Sequence, residues 1–274
     1  MQKIDFDATY FNPKDVLECG QIFRFEPFKE GYKVFTTDKA CYVYTDDKKT
    51  VIESEHPDYF HAFFDLDREY AAINLKIKGF NVPVLTRACE LGKGIRLLNQ
   101  DAEEMIFSFI ISQNNNIPRI KGIISRICHA LGEKREFAGE EYYTFPTAAI
   151  LAQKDAAFYK SLGAGYRDAF IVETAKRISS EGIDRLKELD APSLKKELLS
   201  YHGVGPKVAD CVCLFGFHKS ASFPVDTWIE KIYREDFGGT LKDRNKINAY
   251  FAEMFGEYSG LVQQYLFYCK RENL

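Results

Sequence analysis

A lysine and an aspartate nineteen residues apart are the first residues of this chain whose settings suggest chemistry. Lys207 stands in "GVGPKVAD", just past two glycines and at the head of the apolar run "VADCVCLFG". Burying an ammonium is costly, and the positive end of a helix dipole disfavours a proton on an amine held there. Gly203 and Gly205 allow backbone angles that other residues resist and let a bulky ligand approach the main chain. Pro206 suits a first helical turn, where its missing N–H leaves no bond unmade. The free N–H groups of such a turn face an anion, most naturally a phosphate. The segment lacks the four-residue gap of a P-loop and the Ser or Thr after its lysine, so it is not a triphosphate cradle. Asp226, in "FPVDTW", stands at another helix start, where a carboxylate is also an ordinary N-cap. Read alone, the first segment is equally an ordinary helix–helix turn with a surface lysine.

The elements that position these residues are legible around them. "LKKELLSYHGVGPKVADCVCLFG" reads as helix, glycine-bracketed hairpin, helix. Leu194, Leu198 and Leu199 form the apolar side of the first helix, and Val208, Cys211, Val212 and Phe215 that of the second. Upstream, Tyr32 to Glu55 alternates β-branched or aromatic residues with polar ones and breaks at Asp46-Asp47-Lys48-Lys49, which predicts strands and a hairpin. Past Asp101 the pattern predicts helices throughout. Asp101 with Glu104 predicts a capping box, and Ile120, Ile123, Ile124 and Ile127 share one helical face after Pro118. Further helices are expected at Thr147–Leu162, Arg167–Ser179, Ser193–Leu199, Lys207–Phe215 and from Asn245 onward. The expected class is α+β: an N-terminal antiparallel sheet domain, 1–100, on a mostly α-helical body, 101–274, that contains the helix–hairpin–helix.

Composition narrows the surroundings. The chain has 274 residues, 46% hydrophobic and 28% charged, with a net charge of −3. Any nucleic-acid partner must therefore be met by cations gathered on one face. Nothing resembles a signal peptide or a membrane span, and seven scattered cysteines suggest reduced thiols in a cytoplasmic protein. Their spacings do not suit a Cys-ligated zinc or iron–sulfur site.

"GVGPKVAD" followed by "FPVDTW" resembles the helix–hairpin–helix, Gly-Pro-Asp signature of base-excision DNA glycosylases. The lysine places it in the branch that also cleaves the strand. "LECGQIFRF", "SQNNNIPRI", "LGAGYR" and "SGLVQQYLF" extend the resemblance to the 8-oxoguanine DNA glycosylase family over nearly the whole chain. The resemblance implies a DNA N-glycosylase and AP lyase of base excision repair. It would flip 8-oxoguanine out of double-stranded DNA, opposite cytosine, act as a monomer and need no cofactor. It implies Lys207 as the amine that attacks the sugar and forms a Schiff base, and Asp226 as the stabiliser of the positive charge developing there.

Lesion recognition would fall to the carbonyl of Gly20, to Cys211 and Phe267 sandwiching the base, and to Gln263 at its Watson–Crick edge. Asn114, Arg119 and Arg167 would hold the estranged cytosine while Tyr166 fills the vacated stack. Phosphate contacts would come from the N–H groups of Gly203, Gly205 and Val208, supplemented by Lys121, Arg126, Lys219 and Lys231. A cation would sit on the carbonyls of Leu199, Tyr201 and Val204. Three residues depart from the family pattern. Pro118 could shift Arg119, while Trp228 and Lys270 replace a histidine and an acidic residue and suggest one rebuilt contact. Two other readings of the residues are a glycosylase for another damaged purine and a non-catalytic helix–hairpin–helix that only grips phosphates.

Overall fold

A computed structural model describes residues 1–272. Five antiparallel strands form the N-terminal sheet: β1 (Gln2–Asp7), β2 (Phe25–Phe28), β3 (Gly31–Phe35), β4 (Ala40–Asp46) and β5 (Lys49–Ser54), in the order β1-β5-β4-β3-β2. The expected hairpin is present, with Asp46 paired to Lys49 and Asp47 at φ 52° in the turn. β4 is buried on both faces over Ala40–Val43, which is why its sequence is apolar rather than strictly alternating. β1 and β2 are the edge strands; β1 has only Ile4 and Phe6 between charged residues, and β2 is four residues with a proline.

The rest is helical apart from one hairpin, β6 (Lys134–Phe137) with β7 (Glu140–Tyr143). Sequence periodicity predicts helix there. The turn at Ala138 and Gly139, both at positive φ, and the highly charged strands set it apart. The single helix expected over Thr147–Leu162 is two, Ala148–Leu151 and Ala156–Ser161, because Asp155 caps the second through Phe158 N at 2.9 Å. The capping box at Asp101 is half made. Asp101 accepts from Glu104 N at 2.8 Å, but the Glu104 carboxylate turns inward to Arg24 Nη1, 3.2 Å away. That buried pair fastens the strand region to the Ala102–Ser112 helix.

The main core does not stop at residue 100. Tyr70, Ile77, Leu85 and Ala88, on helices Tyr70–Lys78 and Pro83–Leu91, lie in the same buried cluster as Leu261 and Tyr265 of the C-terminal helix Ser259–Arg271. The strands have their own cluster, built on Val34, Cys41, Val43 and Ile52 against Phe60, Phe63 and Phe64. Gln21 ties the first helix to the segment that follows Pro83–Leu91. Its buried amide donates to Val16 O and Arg96 O, accepts from Leu98 N, and so fixes the loop that carries Gly20.

Candidate active site

Lys207 is the second residue of the Pro206–Phe215 helix, with Gly205 at the N-cap position. The two glycines before it have different tasks. Gly203 lies at φ +83°, and a Cβ there would come within 2.3 Å of the Phe170 ring. Gly205 lies at φ −88°, where any residue is comfortable, but a Cβ there would meet no atom within 4 Å. The expectation of unusual angles therefore holds for Gly203 alone, and Gly205 leaves the backbone open to an approaching group. The backbone N–H groups of Gly203, Gly205, Lys207 and Val208 donate no hydrogen bond within the described residues, which leaves a row of donors at one helix start.

Asp226 is the N-cap of the Thr227–Glu235 helix. Its Oδ1 accepts from Ile229 N at 2.9 Å, while Oδ2 has no partner among the described residues. Lys207 and Asp226 line one cavity of about 50 Å³, together with Gly20, Cys211, Gln263 and Phe267. Residues from four separate segments thus converge on one cavity. Among the described residues no salt bridge engages Lys207, whose Nζ lies 5.1 Å from the centre of the Phe109 ring. The nearest acid on its helix, Asp210, is taken by Lys195 at 2.7 Å and by Asn248. Burial raises the Asp210 carboxyl to about 6, against the pull of Lys195. Burial likewise pushes the Cys211 thiol up to about 11 although Lys207 lies near it.

Gly20 has φ +88°, and a Cβ would stand 3.2 Å from Phe267 Cε1. The glycine therefore lets the loop and the ring face each other across the cavity. A wider cleft of about 870 Å³ adjoins it and shares Gly20, Phe109, Lys207, Asp226 and Phe267 as lining residues. Asn114 and Tyr166 line this cleft, and Tyr166 is 54% exposed on a single 3-10 turn, Gly165–Arg167.

Arg167 stands elsewhere than the sequence suggests. It is 1% exposed, and its guanidinium donates to the carbonyls of Gln113, Asn114 and Ala164, with Nε to Gln113 O at 2.9 Å. Three of these bonds brace the Asn114 turn, where φ is 44°, and one goes to Ala164. Arg119 is exposed, beside Arg167, and Nη2 lies 3.4 Å from Gly163 O. Pro118 lies in the first turn of Ile117–Leu131, where Asn116 caps Arg119 N at 3.0 Å. Trp228 is 38% exposed and lines the cleft, whereas Lys270 pairs with Glu235 at 2.8 Å and Asp236 at the other end of the same helix. The expected single rebuilt contact is thus two separate ones. Lys121 and Arg126 also lie away from the cleft, with Lys121 over the Phe25 ring and Arg126 bonded to Leu162 O.

Sequence reasoning missed Gln113, Phe109 and Gln21. Gln113 Nε2 donates to Gly203 O at 2.8 Å and ties the Asn114 turn to the hairpin. Phe109 belongs to "MIFSFIIS", where an apolar run reads only as core.

A sheet domain against a helical body, with a glycine hairpin presenting a lysine beside an N-cap aspartate, defines the helix–hairpin–helix glycosylase class. Comparison with known proteins refines it. Residues 3–106 match the family model for the N-terminal domain of 8-oxoguanine DNA glycosylase. The probable N-glycosylase/DNA lyase of Methanothermobacter thermautotrophicus is 30% identical over 246 residues, 82% of this chain and 76% of that protein. The N-glycosylase/DNA lyase of Saccharomyces cerevisiae is 36% identical over 159 residues, 53% of this chain but only 42% of that longer protein. The Clostridium acetobutylicum 8-oxoguanine glycosylase/lyase, solved with double-stranded DNA containing cytosine opposite 8-oxoguanine, superposes with a TM-score of 0.92 at 34% identity, over 100% of this chain and 98% of that one. The chain belongs to the 8-oxoguanine DNA glycosylase family of N-glycosylase/DNA lyases.

Proposed function

We propose that this chain excises 8-oxoguanine from double-stranded DNA, with preference for cytosine opposite, and then cleaves the strand at the emptied site. The observation that carries this reading is the meeting of Lys207 and Asp226 in one small cavity with Gly20, Cys211, Gln263 and Phe267. Lys207, deprotonated, attacks C1′ of the extruded nucleotide. The C1′–N9 bond breaks, and the base leaves with its bonding pair and takes up a proton. The ring C1′–O4′ bond then opens to a Schiff base. Loss of a C2′ proton drives out the 3′ phosphate, and water finally hydrolyses the imine. Asp226 lines the same cavity, and its carboxylate stabilises the charge developing on the sugar. The Gly20 carbonyl accepts the N7–H that 8-oxoguanine has and guanine lacks, a contrast that strongly separates two bases of equal shape.

Opposite-base contacts fall to Asn114, Arg119 and Tyr166, with Arg167 holding their turn from behind. The unbonded N–H groups at Gly203, Gly205 and Val208 meet phosphate. Among the described residues the carbonyls of Leu199 and Val204 accept no hydrogen bond and that of Tyr201 accepts only Val204 N at 3.0 Å, a donor set that would hold a cation and neutralise nearby phosphate. No other cofactor enters. Among the described residues no helix is long and apolar enough to cross a membrane; the DNA acted on in this reading is that of the cytoplasm. The deciding experiment is cleavage of four duplexes, each with one 8-oxoguanine opposite a different base. Cleavage fastest opposite cytosine is expected; cleavage no faster than on undamaged guanine in all four rejects the reading.

A further inference from the structure

One side chain outside the cavity grips both of the elements that bring Lys207 and Asp226 together. Asn248 lies on the Arg244–Phe255 helix, which contributes no lining residue to that cavity. Its Nδ2 donates to Asp210 Oδ2 at 3.1 Å and to Phe223 O at 2.6 Å. Its Oδ1 accepts from Lys195 Nζ at 3.4 Å, and the same ammonium meets the Asp210 carboxylate at 2.7 Å. These partners fix the sense of the amide. Turning it over would set its oxygen against a carboxylate and a carbonyl, and its N–H groups against a cation.

Both bonded partners stand close in sequence to the proposed chemistry. Asp210 is buried three positions after Lys207 on the Pro206–Phe215 helix. Phe223 stands three positions before Asp226, in a strap with no regular structure. Main-chain atoms of Phe223, Pro224 and Val225 make one hydrogen bond among the described residues, and Asn248 supplies it. The buried Phe223 ring stacks on Phe251 of the same Arg244–Phe255 helix, with centroids 4.6 Å apart. The strap that ends in Asp226 is therefore anchored to a helix that also holds the Lys207 helix.

We propose that Asn248 is a positioning residue for this reaction: through one amide it sets the strap carrying Asp226 against the helix carrying Lys207. The inference rests on the reading that those two residues excise a base together. The N-cap bond to Ile229 N orients the Asp226 carboxylate on its own helix, but it does not set the distance to Lys207. The amine must reach C1′ while the carboxylate faces the charge that develops there. A misplacement of about 1 Å can cost about 10²-fold in rate. Gly20, Gln263 and Phe267 are held by other elements, so lesion binding should survive a change that excision does not.

The test uses the full chain, with single-turnover excision of 8-oxoguanine opposite cytosine and gel-shift affinity for the same duplex. Asn248→Ala is expected to slow excision by about tenfold or more and to leave affinity within about twofold of wild type. In an Asp226→Asn background the same substitution should cost less than about twofold, because the carboxylate it places is already gone. An equal loss on both backgrounds, as from general loosening of the fold, overturns the proposal. A wild-type excision rate, or affinity falling in step with rate, overturns it too. Asn248→Asp, of the same shape but with acceptors facing Asp210 and Phe223 O, is read the same way if the alanine variant fails to fold. A wild-type chain that leaves 8-oxoguanine in place would instead defeat the functional reading, and that outcome needs no variant.

Discussion

The Lys207–Asp226 cavity and the region proposed to meet the opposite base are built on different principles, although Asn114 and Tyr166 of the second line the cleft that adjoins the first. The cavity residues sit on regular helices or on a loop fastened by buried hydrogen bonds: Lys207 and Asp226 at helix starts, Gln263 and Phe267 on the last long helix, Gly20 behind Gln21. The opposite-base residues sit on a left-handed asparagine, a 3-10 turn and an exposed arginine. The first region is set before any ligand arrives. The second is a more exposed surface, its side chains held by single long bonds such as Tyr166 OH to Gln113 O at 3.3 Å and Arg119 Nη2 to Gly163 O at 3.4 Å. Bond-breaking tolerates little misplacement, whereas reading an unpaired base across an open cleft tolerates more.

If this contrast is right, damage in the cavity should abolish chemistry and damage in the clamp should only blur selection. The largest effect is expected for Lys207→Gln, which should lose base excision and strand cleavage together; borohydride should trap the wild type on lesion DNA and leave the variant free. Appreciable trapping of the variant would remove Lys207 from its role. Asp226→Asn should slow excision by about 10²- to 10³-fold, the scale of one electrostatic contact to a transition state. Its affinity in a gel-shift titration should stay close to that of the wild type, and parallel loss of binding would mean the carboxylate matters mainly as an N-cap.

The clamp is sharpened by comparing its two arginines. Arg167→Ala should destabilise the fold by about 2 kcal/mol, from a charged donor removed from several buried carbonyls. Arg119→Ala should leave the stability within about 0.5 kcal/mol of wild type and reduce the preference for cytosine. Equal melting temperatures for the two variants would return Arg167 to the surface and erase the distinction drawn here.

The smallest effect concerns pH. Asp210, raised to about 6 by burial, keeps its proton in the fold where the unfolded chain has already lost it. The folded state therefore binds more protons between its ordinary value near 3.8 and about 6, and stability falls across that window as pH rises. Asp210→Asn should flatten that slope, as thermal melts at pH 4 and pH 6.5 would register; an unchanged slope would put the carboxyl in a different setting.

The sequence made the chemistry more legible than the architecture. Lys207 and Asp226 announce themselves because glycine, proline and helix starts have local signatures. Gly20, Gln263 and Phe267 came only through resemblance, since a glycine before a strand and an apolar helix look like ordinary structure until folding brings them together. Arg167 was misplaced for a general reason: an arginine in a short polar motif reads as exposed, and only the three carbonyls that meet its guanidinium reveal it as buried. β6 and β7 were hidden by their charges, and Gln113 by the distance in sequence between its two ends of contact, Ile110 and Gly203.

All seven cysteines are buried, and Cys211 reaches the cavity as a thiol rather than a thiolate. A sulfur that keeps its hydrogen is a poor rival to an amine for the anomeric carbon, and it reacts slowly with peroxide. A protein that patrols oxidised DNA meets the same oxidants as its substrate. Sequestered sulfur would let it keep working through the conditions that create its workload.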